Sequence, residues 1–127
     1  MNEPTNVWEH RLVLIAEDEP INFMLIRKIL EVTSCRVIWA KNGREAVEMA
    51  TSQHPDLILM DIRMPEMDGI TATKLIRKSF PDLPIIAVTA FSLSNEAEKC
   101  QEAGASGFIT KPVMPATLLE AIGAVLK

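Results

Sequence analysis

The residues best able to do chemistry stand at the ends of short apolar runs. Glu17, Asp18 and Glu19 follow the first run, Asp61 ends the third, Thr89 and Ala90 follow the fourth, and Lys111 and Pro112 follow the fifth. A carboxylate that closes a buried run is hard to explain by packing, which favours an apolar residue there. Two like charges about 4 Å apart cost roughly 4 kcal/mol at an effective dielectric near 20. Carboxylates brought together therefore need a cation or a raised pKa. An all-oxygen set suits a hard divalent ion such as Mg²⁺, which keeps several waters. Lys111 is a compact positive charge able to face an anion bound over the metal. A metal, an anion and a carboxylate nucleophile together describe phosphoryl transfer to Asp61. Each residue alone has a blander explanation, a solvated loop or a surface charge. The ordered set, each member at a strand end, is specific.

The elements that must position them follow from pattern. Leu12–Ala16, Arg36–Ala40, residues 57–60, residues 84–88 and Gly107–Thr110 read as strands. Helices are expected over residues 21–32, from Asn42-Gly43 onward, over about 70–79, over 95–103 and over 115–126. The first helix has polar residues only at Asn22, Arg27, Lys28 and Glu31, so it is expected to lie wedged between neighbours. The second should turn Ala46, Val47 and Ala50 inward, the third Ala72, Leu75 and Ile76. The fourth has only a thin inner stripe of Leu93, Ala97, Cys100 and Gly104, with Glu96, Glu98, Lys99, Gln101 and Glu102 outside. Asn95 and Glu98 are spaced as a capping box. The last should bury Leu118, Leu119, Ile122, Val125 and Leu126. Strands alternating with helices imply an α/β fold with a parallel sheet covered on both faces. In such sheets the site lies beyond the carboxyl ends of the strands, where the strand order switches.

At 127 residues the chain has room for one domain. Its 48% hydrophobic and 24% charged content excludes disorder and collagen-like repeats. No apolar run approaches the roughly 20 residues that cross a bilayer, and no secretory signal is expected. A net charge of −4 argues against direct nucleic-acid binding. Cys35 and Cys100 make no metal spacing and read as small hydrophobes in a reducing compartment. His54, beside Pro55, reads as a loop residue. Residues 1–10 read as a polar tail or linker, Trp8 included, and 11–127 as the domain.

Four segments carry a resemblance: Ala16-Glu17-Asp18-Glu19, Leu59-Met60-Asp61-Ile62-Arg63-Met64-Pro65-Glu66-Met67-Asp68-Gly69, Val88-Thr89-Ala90 and Phe108-Ile109-Thr110-Lys111-Pro112. Together they make the chain resemble the receiver domain of two-component response regulators over about residues 11–127. The resemblance implies a flavodoxin-like, doubly wound (βα)5 sheet in the order 2-1-3-4-5. It makes Asp61 the phosphoacceptor, Asp18 the main metal carboxylate and Glu17 its support, with the Arg63 carbonyl completing the shell of Mg²⁺ or a substitute Mn²⁺. Thr89 and the Ala90 amide would bind the phosphoryl group, Lys111 would bridge it to the acids, and the Lys111-Pro112 bond would be cis. Thr89 and Phe108 would form the switch: Thr89 moves to the phosphoryl group and leaves room for the Phe108 ring. The weakly anchored fourth helix is the element suited to move. Such a domain is a signalling phosphoacceptor rather than a general enzyme, and it promotes only its own phosphorylation and dephosphorylation. Arg63 and Phe91 border the path of hydrolytic water, and neither holds a water as an amide or acid does, so a long-lived phospho-state is expected.

A flavin-binding module of flavodoxin type would need a Ser-, Thr- or Gly-rich first loop, and this loop is acidic. An aspartyl phosphohydrolase would need a second acid at Arg63. A degenerate, unphosphorylated adaptor would lack a required residue, and all are present. By the resemblance the partner is a histidine kinase or a histidine phosphotransfer domain, docked near the first helix. Glu19-Pro20-Ile21-Asn22 is similar to receivers fused to hybrid histidine kinases, so the chain reads as such a receiver excised or as a free-standing regulator. A cytoplasmic location is expected, including the cytoplasmic part of a membrane-bound kinase. Ala105-Ser106-Gly107 replaces the acidic entry to strand five found in dimerising transcription-factor receivers, so a monomer is expected.

Overall fold

The computed structural model describes residues 8–90 and 94–126. Strands β1 (Leu12–Ala16), β2 (Arg36–Ala40), β3 (Leu57–Asp61), β4 (Ile85–Thr89) and β5 (Gly107–Thr110) form a parallel sheet in the order β2-β1-β3-β4-β5. Helices α1 (Pro20–Leu30), α2 (Gly43–Gln53), α3 (Gly69–Ser79), α4 (Ser94–Ala103) and α5 (Pro115–Val125) alternate with them. Order and element succession are those expected. Every residue of β1, β3 and β4 is buried, as their continuous apolar runs require.

Alternation along each strand divides the core in two. Val13, Ile15, Leu57, Leu59, Ile86 and Val88 pack against Phe23, Ile26 and Leu30 of α1 and Leu118 and Ile122 of α5. Leu14, Ala16, Ile58, Met60 and Ile85 face Ala46 and Ala50 of α2 and Ala72 and Ile76 of α3. A third cluster joins Ile62, Ala87 and Cys100 under α4, with Phe108 and Ile70 at its border. Both cysteines are free, Cys100 buried and Cys35 half-buried. His54 follows α2 with a positive φ, in the expected loop.

Several local expectations fail for physical reasons. Helix α1 stops at Leu30, and a 3-10 turn over Glu31–Thr33 follows, fixed by the Thr33 hydroxyl donating to the Leu30 carbonyl at 2.7 Å. The helix is not wedged: Ile21, Met24 and Leu25 are 71%, 56% and 58% exposed. In α3, Leu75 faces outward and Thr73 takes the inner place, its hydroxyl spent on the Gly69 carbonyl at 2.7 Å. Helix α4 starts at Ser94, so Asn95 lies inside the first turn and is not the cap of a capping box. Among the described side chains of α4, Cys100 and Ala103 are buried and Ala97 is half-buried, while Leu93 lies outside the described residues. Trp8 does not belong to a tail: it is 9% exposed and packs in the cluster under α1 and α5. Arg77 also exceeds its sequence signal. Its guanidinium donates to the carbonyls of Gly104, Phe80 and Leu83, tying α3 to the end of α4.

Candidate functional site

The switch in strand order falls between β1 and β3, and the acids lie just past it. Glu17 leaves β1 with its N–H donating to the Ala40 carbonyl at 2.9 Å. Its own carbonyl accepts from the Trp39 indole Nε1 at 2.7 Å. Its side chain is 1% exposed, and Oε2 accepts from the Glu19 N–H at 3.2 Å. Asp61 closes β3 and is 4% exposed. Its Oδ1 accepts from the Arg63 N–H at 3.2 Å and its Oδ2 from Lys111 Nζ at 3.1 Å. Asp18 is half-buried. One oxygen from each of Glu17, Asp18 and Asp61 lies within 4.8 Å of the others. Glu19 is the exposed N-cap of α1 and stands outside this group.

The loop after Asp61 is pinned from both ends. The Gly69 N–H donates to the Ile62 carbonyl at 2.8 Å, and a Cβ on Gly69 would sit 2.1 Å from the Asp61 carbonyl oxygen. Asp68 caps α3 by accepting from the Thr71 N–H at 2.7 Å. The Gly43 N–H donates to the Met67 carbonyl at 3.0 Å, which fastens the loop to α2. A cleft of about 450 Å³ opens beside the acids, lined by Asp18, Ile62, Arg63, Met64, Pro65 and Asp68.

Lys111 offers the acids a cation. Its Nζ lies 3.2 Å from Glu17 Oε1 and 3.1 Å from Asp61 Oδ2. Burial pulls the ammonium down, and the two facing carboxylates outweigh it and hold its pKa above the ordinary value. Burial, then the Asp61 charge, push the Glu17 carboxyl up to about 7 despite Lys111. Glu17 Oε1 is fully buried and, although close to Lys111, has no aligned hydrogen bond. An under-satisfied buried carboxylate oxygen in an all-oxygen cluster fits a hard divalent cation. Among the described residues, Glu17, Asp18 and Asp61 are the clustered side chains able to hold one.

This gives a pH dependence of known sign. The fold raises the Glu17 pKa, so it favours the neutral form, and that stabilisation is complete below about 4.5 and lost as pH rises through about 7. A divalent cation needs the ionised form. We expect Mg²⁺ to raise the melting temperature more at pH 8 than at pH 6. An equal increment at both pH values would show that no proton competes with the metal at Glu17.

Thr89 ends β4 and is wholly buried. Its hydroxyl donates to Glu96 Oε1 in the first turn of α4. The other Glu96 oxygen pairs with Arg63 Nη2 at 3.3 Å. Ala90 follows β4 and is exposed, and Phe91 lies outside the described residues. Phe108 is half-buried beside Ala87 and Cys100, and the Lys111-Pro112 bond is cis. The structure thus unites Glu17, Asp18, Asp61 and Lys111, and joins Thr89 to Glu96. Sequence reading places Glu96 on an outer face. Its closest signal is position, a carboxylate in the first turn of a helix.

The pattern of the response regulator receiver domain family matches residues 13–123. The polar-differentiation response regulator DivK of Brucella ovis is 37% identical over 112 residues, covering 87% of this chain and 91% of DivK. The receiver domain of a sensor histidine kinase from Pseudomonas aeruginosa, solved with magnesium in its active-site cleft, is 36% identical with a TM-score of 0.85. That match covers 91% of this chain and 97% of the other. A CheY-like receiver domain protein from Methanospirillum hungatei is 29% identical with a TM-score of 0.86, covering 91% and 93%.

Proposed function

The chain belongs to the response regulator receiver domain family, and from that premise we propose that Asp61 is its phosphoacceptor. Receivers of two-component systems are signalling phosphoacceptors, so the flavin-binding reading falls away with the general phosphohydrolase. The observation that carries the assignment is Asp61 Oδ2, 3.1 Å from Lys111 Nζ, on a carboxylate within 4.8 Å of Glu17 and Asp18 oxygens. An Asp61 oxygen forms a bond to phosphorus as the bond to the donor's nitrogen or acyl oxygen breaks, and the leaving group carries off that electron pair. Mg²⁺, or Mn²⁺ on the same oxygens, would offset charge on the phosphoryl oxygens. Glu17 and Asp18 would hold the metal together with the Arg63 carbonyl. Lys111 faces the incoming anion, and Thr89 with the Ala90 amide would bind it. Phe108 would follow Thr89. The full set of residues supports an active receiver over a degenerate adaptor.

The proposed donor is a histidine kinase or histidine phosphotransfer domain, docked on the exposed apolar face of α1. The likeness to a receiver of a sensor histidine kinase supports origin in a hybrid kinase, and that to DivK supports a free-standing regulator. No helix among the described residues is long and apolar enough to cross a membrane. A cytoplasmic location, a monomer, and slow self-dephosphorylation set by Arg63 and Phe91 complete the proposal. Incubation with acetyl phosphate should add one phosphoryl group to the intact mass, only with Mg²⁺. Borohydride, which reduces acyl phosphates, should then mark Asp61. A label elsewhere would refute the assignment. Leu25→Asp, on the open face of α1, should slow transfer from a phosphotransfer domain about tenfold, the loss of one apolar anchor. It should leave acetyl phosphate uptake unchanged. Undiminished transfer from the phosphotransfer domain would place the docking face elsewhere.

A further inference from the structure

Thr89 has a single hydroxyl proton, and a hydroxyl can donate it to one principal acceptor. In this structure that acceptor is Glu96. We infer that Glu96 is a positioning residue that holds the Thr89 donor away from Asp61 and so opposes the phosphorylated state. The inference rests on the phosphoacceptor reading above.

Three observations support it. Thr89 is wholly buried, so its hydroxyl is held inside the protein beside Glu96. The Glu96 side chain is only 13% exposed, and its second oxygen is fixed by Arg63 Nη2 at 3.3 Å. The carboxylate is thus held toward Thr89 from the loop that follows Asp61. Hydrogen bonds to an ionised acceptor are roughly twice as strong as neutral ones. A phosphoryl group on Asp61 must therefore draw Thr89 from an acceptor that is itself charged. When it does, Glu96 loses its tie to β4 and keeps Arg63 as its partner at the site. The other anchors of α4 lie in its second half: Cys100 and Ala103 are its buried residues among those described, and Arg77 holds the Gly104 carbonyl at its end.

Glu96→Gln keeps the size and an acceptor carbonyl but removes the charge. Beryllofluoride with Mg²⁺, a phosphoryl mimic that forms on carboxylates, can be titrated calorimetrically into the full chain. The proposal expects about tenfold tighter binding for Glu96→Gln, the effect of replacing a charged acceptor by a neutral one. It expects less than about a twofold change when Glu96→Gln is added to Thr89→Val, which lacks the hydroxyl. A similar gain in both backgrounds would mean that Glu96 acts through its charge alone, which overturns the proposal. So would an unchanged affinity in the parent background. A parent chain that takes no beryllofluoride would remove the phosphoacceptor reading, and this inference with it.

Discussion

Asp61→Asn is expected to abolish phosphoryl uptake. The amide nearly matches the carboxylate in size, so the close of β3 and the pinned loop after it should remain. The nucleophile does not remain: a neutral amide oxygen is a poor attacker, and the charge that attracts Lys111 Nζ at 3.1 Å is gone. Removing a nucleophile outright typically costs far more than removing one supporting group, so uptake from acetyl phosphate should fall at least about 10³-fold. One of the three clustered carboxylates also disappears, so Mg²⁺ affinity should drop. Intact mass after a saturating incubation, with circular dichroism as a control for folding, decides the matter. An undiminished mass gain would assign the phosphoryl group to another side chain.

The second large effect concerns stability. A Cβ at position 69 would lie 2.1 Å from the Asp61 carbonyl oxygen, 2.9 Å from its carbon and 2.9 Å from Ile62 Cα. All three are backbone atoms, so no rotamer change relieves the clash. Either α3 withdraws or the end of β3 moves. Gly69→Ala should destabilise the fold by about 3 kcal/mol, the upper end for overpacking. For a domain of this size the melting temperature should fall by about 10 °C. Because β3 carries Asp61, Mg²⁺ affinity should fall in the same variant. A parental melting curve would show that the contact is not a constraint.

Sequence alone located the strands because each apolar run is cut off by a charged or polar residue: Ala16 by Glu17, Met60 by Asp61, Thr110 by Lys111. The same abruptness exposed the acidic cluster and Lys111. Helix faces were harder to read. Helix α1 is apolar nearly all round, and such a pattern does not distinguish burial against the protein from a face left open, as at Ile21, Met24 and Leu25. Thr73 and Leu75 exchanged roles because a threonine that bonds its own helix at the Gly69 carbonyl can be buried without a further partner. Trp8 stands alone in a polar stretch, where no periodicity marks it as core. Glu96 was hidden for a different reason. Its partners, Thr89 and Arg63, are seven and 33 residues away, and only the folded chain brings β4, α4 and the loop after β3 together.

Trp39 reaches the same region from the opposite side. Its indole nitrogen is bonded to the Glu17 carbonyl, its ring stacks on Phe23 at 4.3 Å and 8°, and Lys41 Nζ stands 5.0 Å from the ring centroid. Indole emission responds to the charges and dipoles around the ring. The chain therefore carries a native fluorophore wired through one hydrogen bond to the backbone of a clustered acid. Trp8 is buried in the apolar cluster under α1 and α5 and should contribute a steadier background signal. Metal entry and phosphoryl transfer at the proposed site should therefore shift Trp39 emission, which stopped-flow fluorescence on the unlabelled protein can time.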